Sequence, residues 1–173
     1  KSYKERLRLF NLPRSSWEDY STSLISAGGG IFSRQAKSIA ITPEMQAVFD
    51  ITDSKLSPDE LIHQMLKAPV DLFWNGGIGT YVKSVAETAD DAGDRANDYI
   101  RINATELRAR VIGEGGNLGM TQRARIEYAL EGGAVNTDSI DNAAGVNCSD
   151  REVNIKILLN GIVSNGDMTT KQR

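Results

Sequence analysis

Apolar and polar residues change rhythm along this chain, and the changes mark out its elements. Met45, Val48 and Phe49 recur at helical spacing after Thr42-Pro43-Glu44, where a capping residue precedes a proline at the first helical position. Ser57-Pro58-Asp59-Glu60 repeats the device as a capping box, with Leu61, Ile62, Met65 and Leu66 forming the apolar face and Pro69 the stop. The run VDLFW at 70–74 predicts a buried strand that ends in Asn75-Gly76-Gly77-Ile78-Gly79. Ala92, Ala96, Tyr99 and Ile100 give the acidic stretch after Tyr81 a helical face, predicting a helix over about 91–101. A strand at 108–112, a glycine turn (Gly113, Gly115, Gly116, Gly119) and a helix at about 122–130 capped by Thr121 follow. Gly132-Gly133 closes that helix, and an extended piece runs from Ala134-Val135 toward Asp138. Ser149-Asp150-Arg151-Glu152 has the form of another capping box. It predicts a helix with Val153, Ile157 and Leu158 inward and Gly161 at its end.

Helix, strand and glycine turn therefore occur twice in the same order. The pattern is that of an α/β fold: a partial Rossmann-like, doubly wound sheet, mainly parallel, with helices on both faces. It predicts three divisions: an irregular or helical insertion or surface subdomain at 1–40, the later part of a nucleotide-binding domain at 41–165, and a polar tail at 166–173. Residues 1–40 read as packing on something outside the segment, with Pro13 ending a first helix and Gly28, Gly29 and Gly30 forming a link.

Composition narrows the function classes. With 20 basic and 23 acidic residues among 173 the net charge is −3, and no basic block exists, so no nucleic acid and no membrane surface is expected as a partner. The single cysteine, Cys148, allows no internal disulfide and fits a reducing, cytoplasmic setting. The chain opens on Lys1 rather than Met, which reads as a piece of something longer.

Each candidate site has a bland reading beside the functional one. The turn at 113–119 nearly matches the dinucleotide fingerprint, with Asp138 about where a ribose-binding acid would stand. Alone, it carries more weight as a tight strand-to-helix turn that needs glycine for steric reasons. Two such turns at the ends of two strands favour ligand contact more strongly, because open α/β sheets bind ligands beyond the carboxyl ends of their strands. His63 reads as a boundary histidine, Cys148 as a thiol without a histidine partner, the 90–98 acids as a solvated helix face, and Ser149 as at least a helix cap. No metal site is expected.

Three long runs carry a resemblance: VDLFWNGGIGTYVK, VIGEGGNLGMTQRARIEYA and NTDSIDNAAGVNCSDREVNIKILLN. In this order they resemble the large, bacterial-type NAD-specific glutamate dehydrogenases, most closely over about 56–160; LPRSSWEDY and GGGIFSR are similar as well. The resemblance implies NAD-dependent oxidative deamination of L-glutamate to 2-oxoglutarate and ammonia by the full-length enzyme, as a homo-oligomer. Compared with the smaller glutamate dehydrogenases, Asn75, Gly76 and Gly77 take the place of a Pro-Ala-Ala at a strand end that contacts NAD. Glu114-Gly115-Gly116-Asn117 matches Glu-Gly-Ala-Asn, which implies that Gly115 and Gly116 approach the cofactor and Asn117 the nicotinamide ribose. Asn142-Ala143-Ala144-Gly145-Val146 matches Asn-Ala-Gly-Gly-Val, which puts Asn142 at the nicotinamide and Val146 at the amino acid. Ser149 then takes the place of a serine that binds the substrate's side-chain carboxylate. Gly119-Met120-Thr121-Gln122 departs from the Pro-Thr-Thr-Pro of the smaller enzymes, which leaves that loop's path open. The family's catalytic Lys/Asp pair, Lys-rich substrate segment and pyrophosphate loop have no match, so no catalytic residue is expected in this chain. The rest of the parent polypeptide would be its partner. The rival reading is a non-catalytic α/β interaction or regulatory module, with Trp17/Tyr20 and the 90–98 acids as its surfaces.

Overall fold

The computed structural model describes residues 1–145 and 147–173. Helix α1 (Ser2–Asn11) leads through two short 3-10 turns to strand β1 (Ile39–Ala40), helix α2 (Pro43–Phe49), strand β2 (Lys55–Leu56) and helix α3 (Pro58–Leu66). Strands β3 (Leu72–Asn75) and β4 (Val82–Lys83), helix α4 (Ala89–Ala92), and strands β5 (Ile102–Asn103) and β6 (Val111–Glu114) follow. Helix α5 (Gln122–Leu130), strand β7 (Ala134–Val135), helix α6 (Asp138–Asp141) and helix α7 (Val153–Ser164) complete the order.

The caps form as their residue types require. Thr42 accepts the Met45 N–H at 3.2 Å, and Thr121 accepts the Ala124 N–H at 3.1 Å. Ser57 and Glu60 bond reciprocally, satisfying two N–H groups that α3 would leave without partners.

The main sheet is three parallel strands in the order β3-β6-β7. Its inner face and α5 enclose the larger core, built from Leu66, Val82, Ile102, Ile112, Met120, Ala124 and Tyr128. A second core (Ile39, Ile41, Met45, Leu56, Leu61) joins α2 and α3 to the antiparallel β1–β2 pair. The architecture is mixed α/β, with a small parallel sheet and several helices.

Four local expectations are corrected. The 91–101 helix does not form: α4 stops after Ala92 because Gly93 takes a left-handed φ of 67°, and only a 3-10 turn (Arg95–Asn97) follows. Strand β3 is not buried on both faces: Leu72 and Trp74 are 55% and 58% exposed, while Asn75 is buried. A strand's side chains alternate between faces, and the Leu72/Trp74 face, continued by exposed Val111, has no covering element among the described residues. The capping box expected at Ser149–Glu152 is absent, because Asn147–Glu152 is already a wide helical turn running into α7, which leaves Ser149 no N-cap position. Helix α7 continues past Gly161 to Ser164, and Val153, Ile157 and Leu158 face outward.

Candidate functional site

The site is built at the carboxyl edge of the parallel sheet. Register pairs Asn75 with Glu114, so β3 and β6 end at the same level and both glycine turns leave from one edge. The Gly115 N–H donates to the Asn75 carbonyl at 2.7 Å, which joins the turns at their roots. Farther out, a Cβ on Gly116 would overlap the Gly77 carbonyl oxygen, and one on Gly119 would overlap the Asn75 side-chain amide. Only glycine lets the two backbones approach this closely. Leu118 takes a left-handed φ of 55°, and its carbonyl accepts the Thr80 hydroxyl at 2.7 Å.

Polar groups under the turns form a connected set. Glu114, 1% exposed, accepts the Gly119 N–H through Oε1 and pairs through Oε2 with Arg125 of α5. Arg125 donates through Nη1 to the Asn136 carbonyl at 2.7 Å. Asp141, the last residue of α6, accepts the Glu114 N–H at 3.0 Å and the Asn136 Nδ2 at 2.9 Å. Asn142 follows and donates through Nδ2 to the Gly116 carbonyl at 2.9 Å and the Asn117 Oδ1 at 2.7 Å.

Three separate stretches of sequence thus meet at one edge. Asn75, Gly76 and Gly77 form the first turn, and Gly115, Gly116 and Asn117 the second. Asn142 bridges from the third stretch. A groove of about 420 Å³ opens beside them, lined by Gly115, Asp141, Asn142, Gly145, Cys148 and Ser149 among others. The Ser149 hydroxyl donates to the neighbouring Asp150 Oδ1 at 3.1 Å. Val146 lies outside the described residues. A larger hollow of about 660 Å³, reaching Asp71, Arg110 and Tyr128, sits at the opposite, amino ends of the strands. Open α/β sheets bind their ligands beyond the carboxyl ends of the strands, the end where the smaller groove lies.

The buried face of β3 contributes one more feature. Asn75 is buried, and its Nδ2 has no hydrogen-bond partner; it shares that status with Arg125 Nε alone among the described residues. On the outer face, the Trp74 indole lies across Gly113 and Gly115, where an added Cβ would stand 2.6 Å and 3.1 Å from the ring.

Two other reactive groups are chemically quiet. Cys148 is exposed, and its thiol pKa is raised by the hydrogen bond with Glu152 and by partial desolvation, so the thiolate is disfavoured. His63 sits half-buried on α3 with Nδ1 3.2 Å from the Ile100 carbonyl, in keeping with a boundary histidine. Among the described residues no group of three His, Cys, Asp or Glu could hold a metal ion. Acidic residues of the 90–98 stretch serve local structure. Asp91 caps α4 with Thr88, Asp94 accepts the Thr80 N–H at 2.8 Å, and Asp98 pairs with Arg101 at 2.5 Å.

A family model described as the bacterial NAD-glutamate dehydrogenase catalytic domain matches residues 1–173. The chain belongs to that family. It is 72% identical over 172 residues to the NAD-specific glutamate dehydrogenase of Pseudomonas aeruginosa, and 66% identical over 172 residues to that of Halomonas elongata. It is 53% identical over 178 residues to the Mycobacterium tuberculosis protein of the same description. Each alignment covers 99% of this chain and 11% of the relative, so the chain spans about a tenth of their length. The family match runs without a break through residues 1–40, which therefore lie inside the matched catalytic-domain region. No described helix in this bacterial NAD-glutamate dehydrogenase segment is long and apolar enough to cross a membrane.

Reasoning from the sequence missed Glu114, Arg125 and Asp141. The sequence holds a partial signal, a carboxylate that ends an apolar strand; the arginine of α5 reads as solvent-facing until the helix is docked. Charges at buried positions are paired, and their partner lies eleven residues away in sequence but adjacent in the fold.

Proposed function

We propose that this chain forms the nicotinamide-side wall of the active site in an NAD-dependent glutamate dehydrogenase. The full-length protein would oxidatively deaminate L-glutamate to 2-oxoglutarate and ammonia, as a cytoplasmic homo-oligomer. The observation that carries the reading is the convergence of both glycine turns and Asn142 at one sheet edge. Residues 41–165 act as the later part of the nucleotide-binding domain, 1–40 as an insertion or surface subdomain, and 166–173 as a polar tail.

The local chemistry fits a dinucleotide. Asn75 carries a buried, unpartnered donor, and nothing lies within 4 Å of a Cβ placed on Gly77, so a ligand can reach that backbone. When bound, NAD supplies the acceptor for the hydride leaving the substrate's α-carbon. Asn75, Gly76, Gly77, Gly115 and Gly116 give backbone approach along it. Asn117 and Asn142 orient its nicotinamide end, and the Ser149 hydroxyl reads the substrate's side-chain carboxylate. Val146 is assigned to the amino acid on its match to the family motif. No acid–base group of the reaction is assigned to this chain; the lysine and acid that manage the amine and proton belong to the rest of the polypeptide, its partner in the site.

The test is Asn142→Ala and Ser149→Ala in the full-length enzyme. Asn142→Ala is expected to lower kcat/KM for both NAD and glutamate, and Ser149→Ala to raise the glutamate KM selectively. Wild-type kinetics in both variants would remove the assignment.

A further inference from the structure

The charged pair under the second turn does more than fill space. Glu114 and Arg125 have side chains only 2% and 5% exposed, the deepest ion pair among the described residues. Such a pair is poor evidence for stability by itself, since two apolar side chains of similar volume can do as well. Its contacts follow a closed path. Glu114 holds the far end of its own turn through the Gly119 N–H, and reaches Arg125 on α5. Arg125 holds the Asn136 carbonyl, Asn136 donates to Asp141, and Asp141 accepts the Glu114 N–H. The turn bearing Asn117 is pinned at residues 114 and 119, while Asn142 follows directly on Asp141.

We propose that Glu114 and Arg125 are positioning residues of the reaction: the ring they close fixes the second turn against the 136–142 segment and so sets Asn117 and Asn142 in one geometry. The inference rests on the reading that these two asparagines face the nicotinamide. The ring has geometric economy. One carboxylate accepts from the loop and the helix, and its own backbone N–H is held by the segment that delivers Asn142. Breaking the ring would let the two asparagines drift apart without touching either, and a dinucleotide that needs both of them preorganised at its nicotinamide end would bind more weakly.

The experiment uses the full-length enzyme and four single variants: Glu114→Gln, Arg125→Lys, Asn117→Ala and Asn142→Ala. Steady-state kinetics for NAD and glutamate accompany NADH binding by fluorescence, together with the doubles that combine Glu114→Gln or Arg125→Lys with Asn142→Ala. Glu114→Gln keeps an acceptor for Gly119 and loses the charge; Arg125→Lys keeps the charge and loses the fork. The expected result is a rise of roughly ten- to a hundredfold in the NAD KM and NADH Kd for either variant, with a smaller change in the glutamate KM. Adding Asn142→Ala to either should cost little more, because both changes break one device. A merely structural pair would lower kcat per mole of enzyme and leave both KM values and the Kd in place, and effects that add fully with Asn142→Ala would likewise overturn the proposal. If Glu114→Gln yields no folded enzyme, Arg125→Lys carries the same comparison. If neither folds, the pair is structural and the proposal falls. Loss of function in Asn117→Ala and Asn142→Ala with none in the pair variants removes the positioning role alone; wild-type behaviour in both asparagine variants removes the site reading, and this inference with it.

Discussion

Gly77 and Gly116 face each other across the two turns, yet they tolerate a methyl group very differently. At Gly77 a Cβ meets nothing within 4 Å, so Gly77→Ala should change stability by no more than about 0.5 kcal/mol. The same variant should raise the NAD KM of the full-length enzyme, because the vacant space is where the proposed cofactor approaches. Thermal melts and initial rates on one preparation separate the two effects; an unchanged KM would show that the ligand passes elsewhere. At Gly116 the added carbon overlaps a backbone carbonyl that cannot swing aside, and Gly116→Ala should destabilise by roughly 1–3 kcal/mol. Chemical denaturation measures it. Individual glycines in the sequence announced turns, and the matched motifs announced which asparagines to follow. Nothing in the sequence announced that Gly116 sits against Gly77, since that contact depends on the parallel register of β3 and β6. The Glu114–Arg125 pair was hidden for a related reason: an arginine on a helix whose other buried residues are Ala124 and Tyr128 reads as solvent-facing until the helix is docked.

Among the elements, those with a strong local code formed where the code put them. Helices α2, α3 and α5 start at Thr42, Ser57 and Thr121, each with its side chain accepting the expected N–H. Ser57→Ala should therefore cost roughly 1 kcal/mol, read as a lowered denaturation midpoint. Where the code was ambiguous, competition decided. Gly93 adopted a left-handed conformation and cut short the helix that Ala92, Ala96 and Tyr99 suggested. Helix α1 depends on an electrostatic latch the periodicity could not reveal. Glu5 accepts from Arg8 at 2.9 Å and 2.7 Å and from the Ser21 N–H at 2.8 Å, which together hold its pKa down to about 2 from an ordinary 4.5. A carboxylate with a depressed folded-state pKa stabilises above its unfolded value, and that contribution disappears as the pH falls from about 4.5 toward 2. Over that window α1 should loosen from the 3-10 turns at Trp17 and Thr22. Trp17 emission in a Trp74→Phe background reports it, and Glu5→Gln should shift the loosening to neutral pH.

At the scale of the molecule, two apolar faces stand open among the described residues. Leu72, Trp74 and Val111 line the outer side of the parallel sheet, and Val153, Ile155, Ile157 and Leu158 line α7. Exposed apolar stretches of this kind mark interfaces or association hazards, and β3 adds an unpaired strand edge to one of them. The isolated 173-residue segment is accordingly expected to self-associate. Light scattering after gel filtration should show the shift toward monomer in a Trp74→Gln, Ile157→Glu variant. A wild-type segment that stays monomeric at high concentration would count against these faces as interfaces. Both faces were misjudged as buried from sequence, because an apolar strand or helix stripe says that something covers it and not whether the covering element lies within the same 173 residues.

The interlock of Gly116 with Gly77 also has a hereditary meaning. Two turns separated by nearly forty residues share one steric space, and the constraint runs one way: a side chain at 116 meets the backbone carbonyl of 77, while one at 77 meets nothing within 4 Å. A lineage that places alanine at 116 has to shift the backbone at 77 with it, so the change at 116 is not a local one. The turns behave as a single inherited character written in two places.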